Sequence, residues 1–288
     1  MEAPEPDAPA PAHSPEIGLV IIGDEIMSGK RADKHLPAVI ERLNARGLQL
    51  AYADYLGDAP ERITDTLRRA FESRDLVISC GGIGATPDDH TRQCAARALG
   101  VPLQLHPQAE ALIRERMQDV AREQGVAYEP ERPDNIHRLN MGVFPAGARI
   151  IPNPYNKIPG FSCTVTGEPG PGRGAVHFVP GFPVMAWPMI EWVLDTYYAH
   201  LFQRHAQLEK SVIVFGAMEA ALTPLMEEIE RSFAGVRVFS LPSVDHPEYG
   251  RHIELGVKGR GASVDDAYAA LLAGLAHFGA QLGPELVR

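Results

Sequence analysis

Two short segments of the chain combine glycine with carboxylates, and their residue types suit the binding of phosphate. The first is GDEIMSG, residues 23–29, and the second is GGIGATPDD, residues 81–89. Gly81, Gly82 and Gly84 allow the backbone to approach a ligand closely and to present N–H groups to phosphate oxygens. The pattern therefore predicts a phosphate site next to several acidic side chains.

The acidic side chains of these segments are Asp24, Glu25, Asp88 and Asp89. Negative charge beside a phosphate is unfavourable unless a cation lies between them, and oxygen ligands of this kind suit Mg²⁺ or a similar divalent ion. We therefore expect these four carboxylates to hold Mg²⁺, Mn²⁺ or Co²⁺. A simpler interpretation stays open, in which an aspartate caps the helix that begins near Thr91 and the glycines serve only a tight turn.

The alternation of strand and helix brings both segments to one edge of a sheet. Strands are predicted where apolar β-forming residues run together, at 17–23, 48–57, 75–80, 149–153, 161–166 and 175–181. Strands that alternate with helices predict βαβ units, and ligands of such sheets bind beyond the carboxyl ends of the strands. The expected fold class is α/β, with three layers around a doubly wound, mainly parallel sheet and a long helix at about 184–201.

The composition along the chain predicts a tail and two domains. Residues 1–15 are rich in Pro and Ala and are predicted to be disordered. Residues 16–204 form the predicted main domain, and residues 205–288 form a small α+β domain with a β-α-β-β-α pattern. GVKG at 256–259 matches the literal GxxG of nucleic-acid-binding KH domains. It lies at the end of a predicted strand, however, and the RNA-clamping loop belongs between two helices.

Charge and composition argue against several kinds of partner. The formal net charge of −10 disfavours binding to nucleic acid and to an anionic membrane surface. No apolar stretch approaches the length of about 18 residues that a membrane span needs. The three cysteines have no paired spacing and the N-terminus has no signal-peptide pattern, so we expect a cytoplasmic protein.

With both glycine segments present in this order, the sequence resembles the molybdopterin-binding family of MogA and MoaB. Within that family it is similar to the N-terminal domain of the competence/damage-inducible protein CinA and of FAD synthases. The resemblance covers residues 16–200, and the small domain is similar to the KH-like domain that follows in CinA. The family pattern G-G-x-G-x-x-x-x-D-x-T places its functional aspartate at Asp89. The resemblance implies that Asp88 and Asp89 are catalytic and that the loop at 81–86 binds phosphate. It also implies that the protein forms a homo-oligomer.

The resemblance also implies a set of residues that bind the ligand. They are Gly81, Gly82, Ile83, Gly84, Ala85, Thr86, Thr91, Ser28, Gly29, Asn153, Pro180 and Gly181. Some positions depart from the CinA pattern: Ala85 stands where proline is usual, and Met185 stands where glutamate is common. These departures leave the identity of the substrate open.

Two functions follow from the resemblance. The first is metal-dependent hydrolysis of a nucleotide pyrophosphate of the ADP-ribose or FAD class, with release of AMP. The second is the binding or adenylylation of molybdopterin in molybdenum-cofactor metabolism, without hydrolase activity. Four residues keep two interpretations each: Lys34, His35 and Lys157 either contact a ligand or lie on a solvated surface, and His90 is either a general base or an exposed helix start.

Overall fold

The computed structural model describes residues 16–73, 75–165, 174–202, 208–259 and 261–287. The chain divides into two compact units, and the first of them ends at Phe202. The tail predicted over residues 1–15 and the domain boundary predicted after residue 204 both lie outside the described residues.

The first unit is built on a six-stranded sheet. Its described residues form the strands β1 (Ile17–Ile22), β2 (Tyr52–Leu56), β3 (Leu76–Cys80), β4 (Leu103–Leu105), β5 (Val143–Pro145), β6 (Arg149–Ile151), β7 (Gly160–Thr164) and β8 (Ala175–Val179). The sheet has the order β2-β1-β3-β8-β7-β6, and β4 pairs with β5 in a separate ribbon. The strands β1, β3 and β8 are buried along their whole length because they are central and covered on both faces.

The directions of these strands bring most of their carboxyl ends to one edge. β2, β1, β3 and β8 are parallel, and the register keeps their ends level, since Ile22 pairs with Leu56 and Cys80 pairs with Val179. β7 runs antiparallel to β8 and to β6. Five strands therefore end at this edge and β7 begins there, which confirms the mainly parallel sheet.

Helices cover both faces of the sheet and complete the three layers. In the described residues they are α1 (Asp24–Met27), α2 (His35–Asn44), α3 (Pro60–Glu72), α4 (Thr91–Leu99), α5 (Pro107–Glu123), α6 (Pro133–Arg138) and α7 (Pro183–Tyr197). On one face, Val39 of α2 and Ile190 of α7 pack in the same apolar cluster as β1 and β3. On the other face, Leu67 of α3 and Ala95 of α4 belong to a second cluster with β8.

The second unit is a four-stranded antiparallel sheet with two helices. Its elements are β9 (Leu208–Phe215), α8 (Glu219–Ser232), β10 (Arg237–His246), β11 (Gly250–Gly259), α9 (Ser263–His277) and β12 (Gln281–Val287), with the strand order β10-β11-β9-β12. The sequence pattern missed β12, because this edge strand contains Gly283 and Pro284 and is mostly exposed. The GVKG stretch lies within β11, and Gly256 packs against Phe239.

Some predicted boundaries also change. The strand predicted at 48–57 is confined to β2, and the long helix ends at Tyr197 with Pro188 inside it. All three cysteines are free and buried, and burial raises the pKa of the Cys80 thiol. Over the described ranges, none of the helices combines the length and the apolar character that crossing a bilayer requires.

Candidate functional site

A cleft of about 550 Å³ opens at the carboxyl edge of the six-stranded sheet. Its walls come from the loops after β1, β2, β3, β6 and β8 and from the segment that leads into β7. The volume lies within the range of small-molecule sites, about 300–1,000 Å³. Nine of the predicted ligand-binding residues line it: Gly81, Gly82, Ile83, Gly84, Ala85, Thr86, Asn153, Pro180 and Gly181.

The loop after β3 is held to the N-terminus of α4 at its first two carbonyl groups. The Thr91 hydroxyl donates to the carbonyl oxygen of Gly81 at 3.2 Å. The Thr91 N–H donates to the carbonyl oxygen of Gly82 at 3.0 Å. Thr91 is fully buried and does not line the cleft, so it supports the predicted ligand loop from behind.

The next three carbonyl groups are held by the side chains of Arg92 and His137, which the sequence patterns did not identify. Arg92 donates from Nη1 to the oxygen of Ile83 at 3.1 Å and from Nη2 to the oxygen of Gly84 at 2.6 Å. His137 Nε2 lies 3.1 Å from the oxygen of Ala85. His137 lies 52 residues from Ala85, and Arg92 lies just beyond the G-G-x-G-x-x-x-x-D-x-T pattern, so the pattern itself indicates neither contact.

Asp89 closes the end of the loop. Its Oδ2 accepts from the N–H of Thr86 at 2.8 Å and from the Thr86 hydroxyl at 2.6 Å, and its own N–H donates to the Thr86 oxygen at 3.0 Å. No side chain caps α4, whose N-cap residue is His90, so the helix-cap interpretation of the aspartates is wrong. Asp88 is exposed at the cleft.

The N–H groups of the same loop differ from its carbonyl groups in their hydrogen bonding. In the described part of the chain, every carbonyl from residue 81 to residue 86 accepts a hydrogen bond, whereas the N–H groups of residues 82–85 donate none. In a trans peptide the N–H points opposite to the preceding carbonyl. The N–H groups of Gly84 and Ala85 therefore point away from Arg92. Successive unpaired N–H groups form a binding site for an anion.

Glycine is required at the start of this cradle of N–H groups, residues 82–85. Gly82 has φ of +67°, and a Cβ there would lie 2.1 Å from Thr91 Oγ1. Gly81 has φ of +106°, and its Cβ would lie 2.2 Å from the oxygen of Ile22. A side chain at either position would displace the backbone that carries the N–H groups.

The acidic residues of the first segment are arranged differently from one another. Asp24 Oδ1 accepts from the N–H of Asp58 at 3.0 Å, and Asp58 Oδ2 accepts from the N–H of Asp24 at 2.9 Å. Asp58, directly beyond β2, lines the cleft, whereas Asp24 does not. Glu25 lines the cleft and lies 3.6 Å from Arg31.

Asp58 is the acidic residue that the sequence patterns missed. Burial raises the pKa of its carboxyl group above the usual value, and the carboxylates of Asp24, Glu25 and Asp88 raise it further, while the Asp24 N–H opposes both effects. Its position could have been recognised, since Asp58 follows β2 as Asp24 follows β1.

The carboxylates around the cleft suit a cation that is bound together with a phosphate. Glu25, Asp58, Asp88 and Asp89 all line the cleft. Among the described residues, however, no three acidic, histidine or cysteine side chains converge as a metal site. Mg²⁺ is usually held by one or two carboxylates together with phosphate oxygens and water. The residues therefore suit a cation that shares its coordination with a phosphate, and they do not form a cage made of protein ligands alone.

The remaining predicted residues occupy several places. Ser28 and Gly29 follow α1 and are not among the residues that line the cleft. Asn153 lines the cleft and shapes its loop, since its Nδ2 donates to Asn156 Oδ1 at 2.7 Å and to the Ile158 oxygen at 2.9 Å. Asn153 therefore contributes to the wall through the geometry of its own loop.

The four residues with open roles are now placed. His35 is buried, with Nε2 3.1 Å from the oxygen of Gly181, and Lys34 is the exposed residue before α2. Lys157 Nζ lies 2.6 Å from Glu115 and 2.5 Å from Asp119, so it joins its loop to α5. His90 lines a neighbouring cavity, and none of the four lines the cleft itself.

That neighbouring cavity has a volume of about 540 Å³. It shares Ala85, Thr86 and Asp89 with the cleft and is bounded by His90 and His137 on its other sides. The end of the loop after β3, at Ala85, Thr86 and Asp89, therefore lines two spaces of similar size.

The match with a known family covers most of the first unit. Residues 18–200 match the family model described as "Probable molybdopterin binding domain". A CinA-like protein from Anaeromyxobacter dehalogenans is 32% identical over 229 residues, which cover 77% of this chain and 51% of the relative. A CinA-like protein from Mycobacterium tuberculosis is 30% identical over 229 residues, with 78% and 51% covered. The chain spans about half the length of these curated relatives.

A solved structure supports the same relationship. The crystal structure of the CinA protein from Thermoplasma acidophilum, whose function is described as unknown, matches with a TM-score of 0.51 and 26% sequence identity. The match covers 62% of this chain and 97% of that chain.

Proposed function

The chain belongs to the family of probable molybdopterin-binding domains, and we propose that its cleft binds a nucleotide or a pterin through a phosphate group. The proposed reaction is hydrolysis of the pyrophosphate bond of an ADP-ribose or FAD class substrate, with release of AMP. One observation carries the proposal: within the part of the chain that the structure describes, the N–H groups of residues 82–85 donate no hydrogen bond, while every carbonyl from 81 to 86 accepts one.

In the proposed reaction the cradle binds the non-bridging oxygens of one phosphate. Negative charge on these oxygens is stabilised by N–H groups that are already oriented, which lowers the barrier to attack at phosphorus. The oxygen of a water molecule forms the new bond to phosphorus, the bridging P–O bond breaks, and the second phosphate leaves with the electron pair. A divalent cation shared between the cleft carboxylates and the phosphates would neutralise part of their charge.

The two aspartates have different parts in this proposal. Asp88 is exposed at the cleft and accepts the proton of the attacking water. Asp89 keeps the loop closed through Thr86 and leaves its second carboxylate oxygen for the cation. The second cavity, of about 540 Å³, supports a substrate with a group on each side of the pyrophosphate.

A second candidate function is binding of a pterin phosphate without hydrolysis. The engagement of Asp89 with Thr86 favours it, because a carboxylate that closes a turn is less available for chemistry. Both candidates use the same cradle, so only the fate of the phosphate bond separates them.

The test incubates the protein with ADP-ribose, FAD or NAD in the presence of Mg²⁺, Mn²⁺ or Co²⁺. Chromatography then measures the AMP that is released. We expect the wild-type protein to release AMP from at least one substrate. In Asp88→Asn we expect the rate of AMP release to fall by at least about 100-fold. Asp89→Asn keeps an acceptor for Thr86, so its effect reports on charge alone. Asp65→Asn, on the exposed face of α3, is the control.

Release of no AMP, together with saturable binding of molybdopterin, would replace hydrolysis by the second candidate. Failure of the wild-type protein to bind pyrophosphate would remove the proposed phosphate site itself. The homo-oligomer implied by the family resemblance stays a proposal, and light scattering at micromolar concentration tests it.

A further inference from the structure

An exposed aromatic side chain stands at the mouth of the cleft. Phe182 lines the cleft and is 55% exposed. Its backbone is fixed, because its carbonyl oxygen accepts from the N–H groups of Met185 and Ala186 at 3.0 and 2.9 Å at the start of α7. A large apolar ring held in this position is available for contact with a ligand.

The residue before Phe182 packs against the loop after β3, and that loop lines the same cleft as Phe182. A Cβ added to Gly181 would lie 3.5 Å from the Cα of Gly81, which is an ordinary van der Waals distance. The buried His35 fixes the same peptide through the oxygen of Gly181 at 3.1 Å. One ligand can therefore contact both the cradle and the ring of Phe182.

Arg31 contributes a second flat group at the same place. Its guanidinium carbon lies 5.7 Å from the centroid of the Phe182 ring. Arg31 also lines the cleft, and its ion pair with Glu25 is long, at 3.6 Å, with the Arg31 side chain 55% exposed. An exposed ion pair of this kind is weak, so the guanidinium can rearrange when a ligand enters.

We propose that Phe182 and Arg31 form a subsite for the planar heteroaromatic ring of the ligand. Aromatic side chains stack on the faces of such rings, and a planar guanidinium does the same. The inference rests on the proposed function for the position of the phosphate, and it adds the class of group that the cleft holds beside it. Adenine and pterin share this chemistry.

The test compares ligands with and without a ring by isothermal titration calorimetry. The ligands are inorganic pyrophosphate, ADP, adenosine and neopterin. Phe182→Leu keeps an apolar side chain but removes the ring, and we expect it to weaken ADP binding about tenfold while pyrophosphate binding stays unchanged. Phe182→Trp should retain ADP binding and show a change in fluorescence on titration. Val184→Ala is the matched control, since Val184 is also exposed at the start of α7 but does not line the cleft.

The outcomes separate this subsite from the phosphate site. Equal ADP binding by wild type and Phe182→Leu would overturn the subsite and leave the proposed function standing. Equal losses of pyrophosphate and ADP would also overturn it, because Phe182 would then only support the cradle. If adenosine or neopterin binds in a Phe182-dependent manner while pyrophosphate does not bind, the subsite stands and the phosphate proposal fails. Whichever of adenosine and neopterin binds more tightly identifies the ring of the ligand as adenine or pterin.

Discussion

Arg92 Nη2 donates to the carbonyl oxygen of Gly84 at 2.6 Å, and this contact sets the direction of the peptide that ends at the Ala85 N–H. Arg92 is 4% exposed, and burial lowers the pKa of its guanidinium while Asp89 opposes that effect. A buried cation thus holds the carbonyl side of this loop, and the N–H groups of the same peptides point away from it. Arg92 acts through the backbone and needs no contact with the ligand.

Arg92→Lys is expected to weaken pyrophosphate binding about tenfold. Lysine keeps the charge but lacks the planar group that reaches two carbonyl oxygens, so one carbonyl loses its partner at a cost of about 1–3 kcal/mol in the free energy of unfolding. Calorimetry gives the affinity and urea unfolding gives the stability. Arg97→Lys, on the exposed side of α4, should change neither quantity. An unaltered affinity for pyrophosphate in Arg92→Lys would show that the cradle keeps its shape without the two hydrogen bonds from the guanidinium group.

Gly82→Ala is expected to abolish pyrophosphate binding, and Gly29→Ala is its matched comparison. Both glycines have left-handed φ values, +67° and +72°, so alanine costs about 1–2 kcal/mol of stability at either one. Only Gly82 has a neighbour in the way, at 2.1 Å, whereas nothing lies within 4 Å of a Cβ at Gly29. Thermal unfolding should therefore report a larger loss of stability for Gly82→Ala than for Gly29→Ala, and calorimetry should report loss of pyrophosphate binding for Gly82→Ala alone. Loss of binding in Gly29→Ala would instead support the sequence-based placement of Gly29 in the site.

The sequence indicated the position of the glycine-rich loop after β3 because local signals were sufficient for it. An apolar run, three glycines and a helix start define the end of a buried strand, and strand ends in a parallel sheet share an edge. The contacts that orient the loop were not predictable in this way. Arg92 and His137 reach it through side chains whose partners are backbone oxygens, and any sequence supplies such oxygens.

The acidic residues illustrate the same limit. Asp24 and Asp58 have similar positions after neighbouring strands, yet their reciprocal hydrogen bonds leave only Asp58 at the cleft. The choice between them depends on how two loops pack, which a pattern within one loop does not contain. The strand β12 was missed for a related reason, since it is defined by its pairing with β9 and has little apolar pattern of its own.

Asp58→Asn is expected to stabilise the free protein and to weaken its binding of a cation with pyrophosphate. The folded-state pKa of Asp58 is raised above its ordinary value of 3.8, so the fold favours the protonated form and is penalised once the carboxylate ionises. The gain in the free energy of unfolding of Asp58→Asn over wild type should therefore be absent below the ordinary pKa of aspartate. It should grow as pH rises through the folded-state pKa of Asp58. Scanning calorimetry at pH 7 should show a rise of about 1–3 °C in Tm.

The matched measurement for Asp58→Asn is the effect of Mg²⁺ on pyrophosphate affinity. Wild type should bind more tightly with Mg²⁺ present, and the variant should gain less from it. A variant that is less stable than wild type at pH 7 would mean that the hydrogen bond with Asp24 outweighs the repulsion.

His177 should make the protein lose stability in acid. It is buried between Ser162 Oγ, at 2.7 Å from Nδ1, and the Tyr198 hydroxyl, at 2.8 Å from Nε2, and burial lowers its pKa from 6.5 to about 3. The unfolded chain therefore binds a proton that the folded chain does not, between pH 6.5 and about 3. Stability should fall with decreasing pH across this window, by up to about 1.4 kcal/mol per pH unit from this residue.

Urea unfolding at several pH values measures this dependence for wild type, His177→Gln and His200→Gln. His177→Gln should be less stable at pH 7 but should show a shallower loss on acidification. His200 is exposed, so its variant should follow the wild-type slope. Parallel slopes for all three proteins would mean that His177 does not control the acid response.

The hairpin formed by β6 and β7 provides one wall of the cleft, apart from the loop after β3. Its loop provides Asn153, Asn156 and Ile158 to one wall and is braced by its own amide contacts and by the ion pairs of Lys157. The parallel strands that carry the phosphate loop do not depend on that loop for their ladder. If the proposed phosphate site is correct, substitutions in the loop between β6 and β7 can change which ligand the cleft prefers while the loop after β3 keeps its shape.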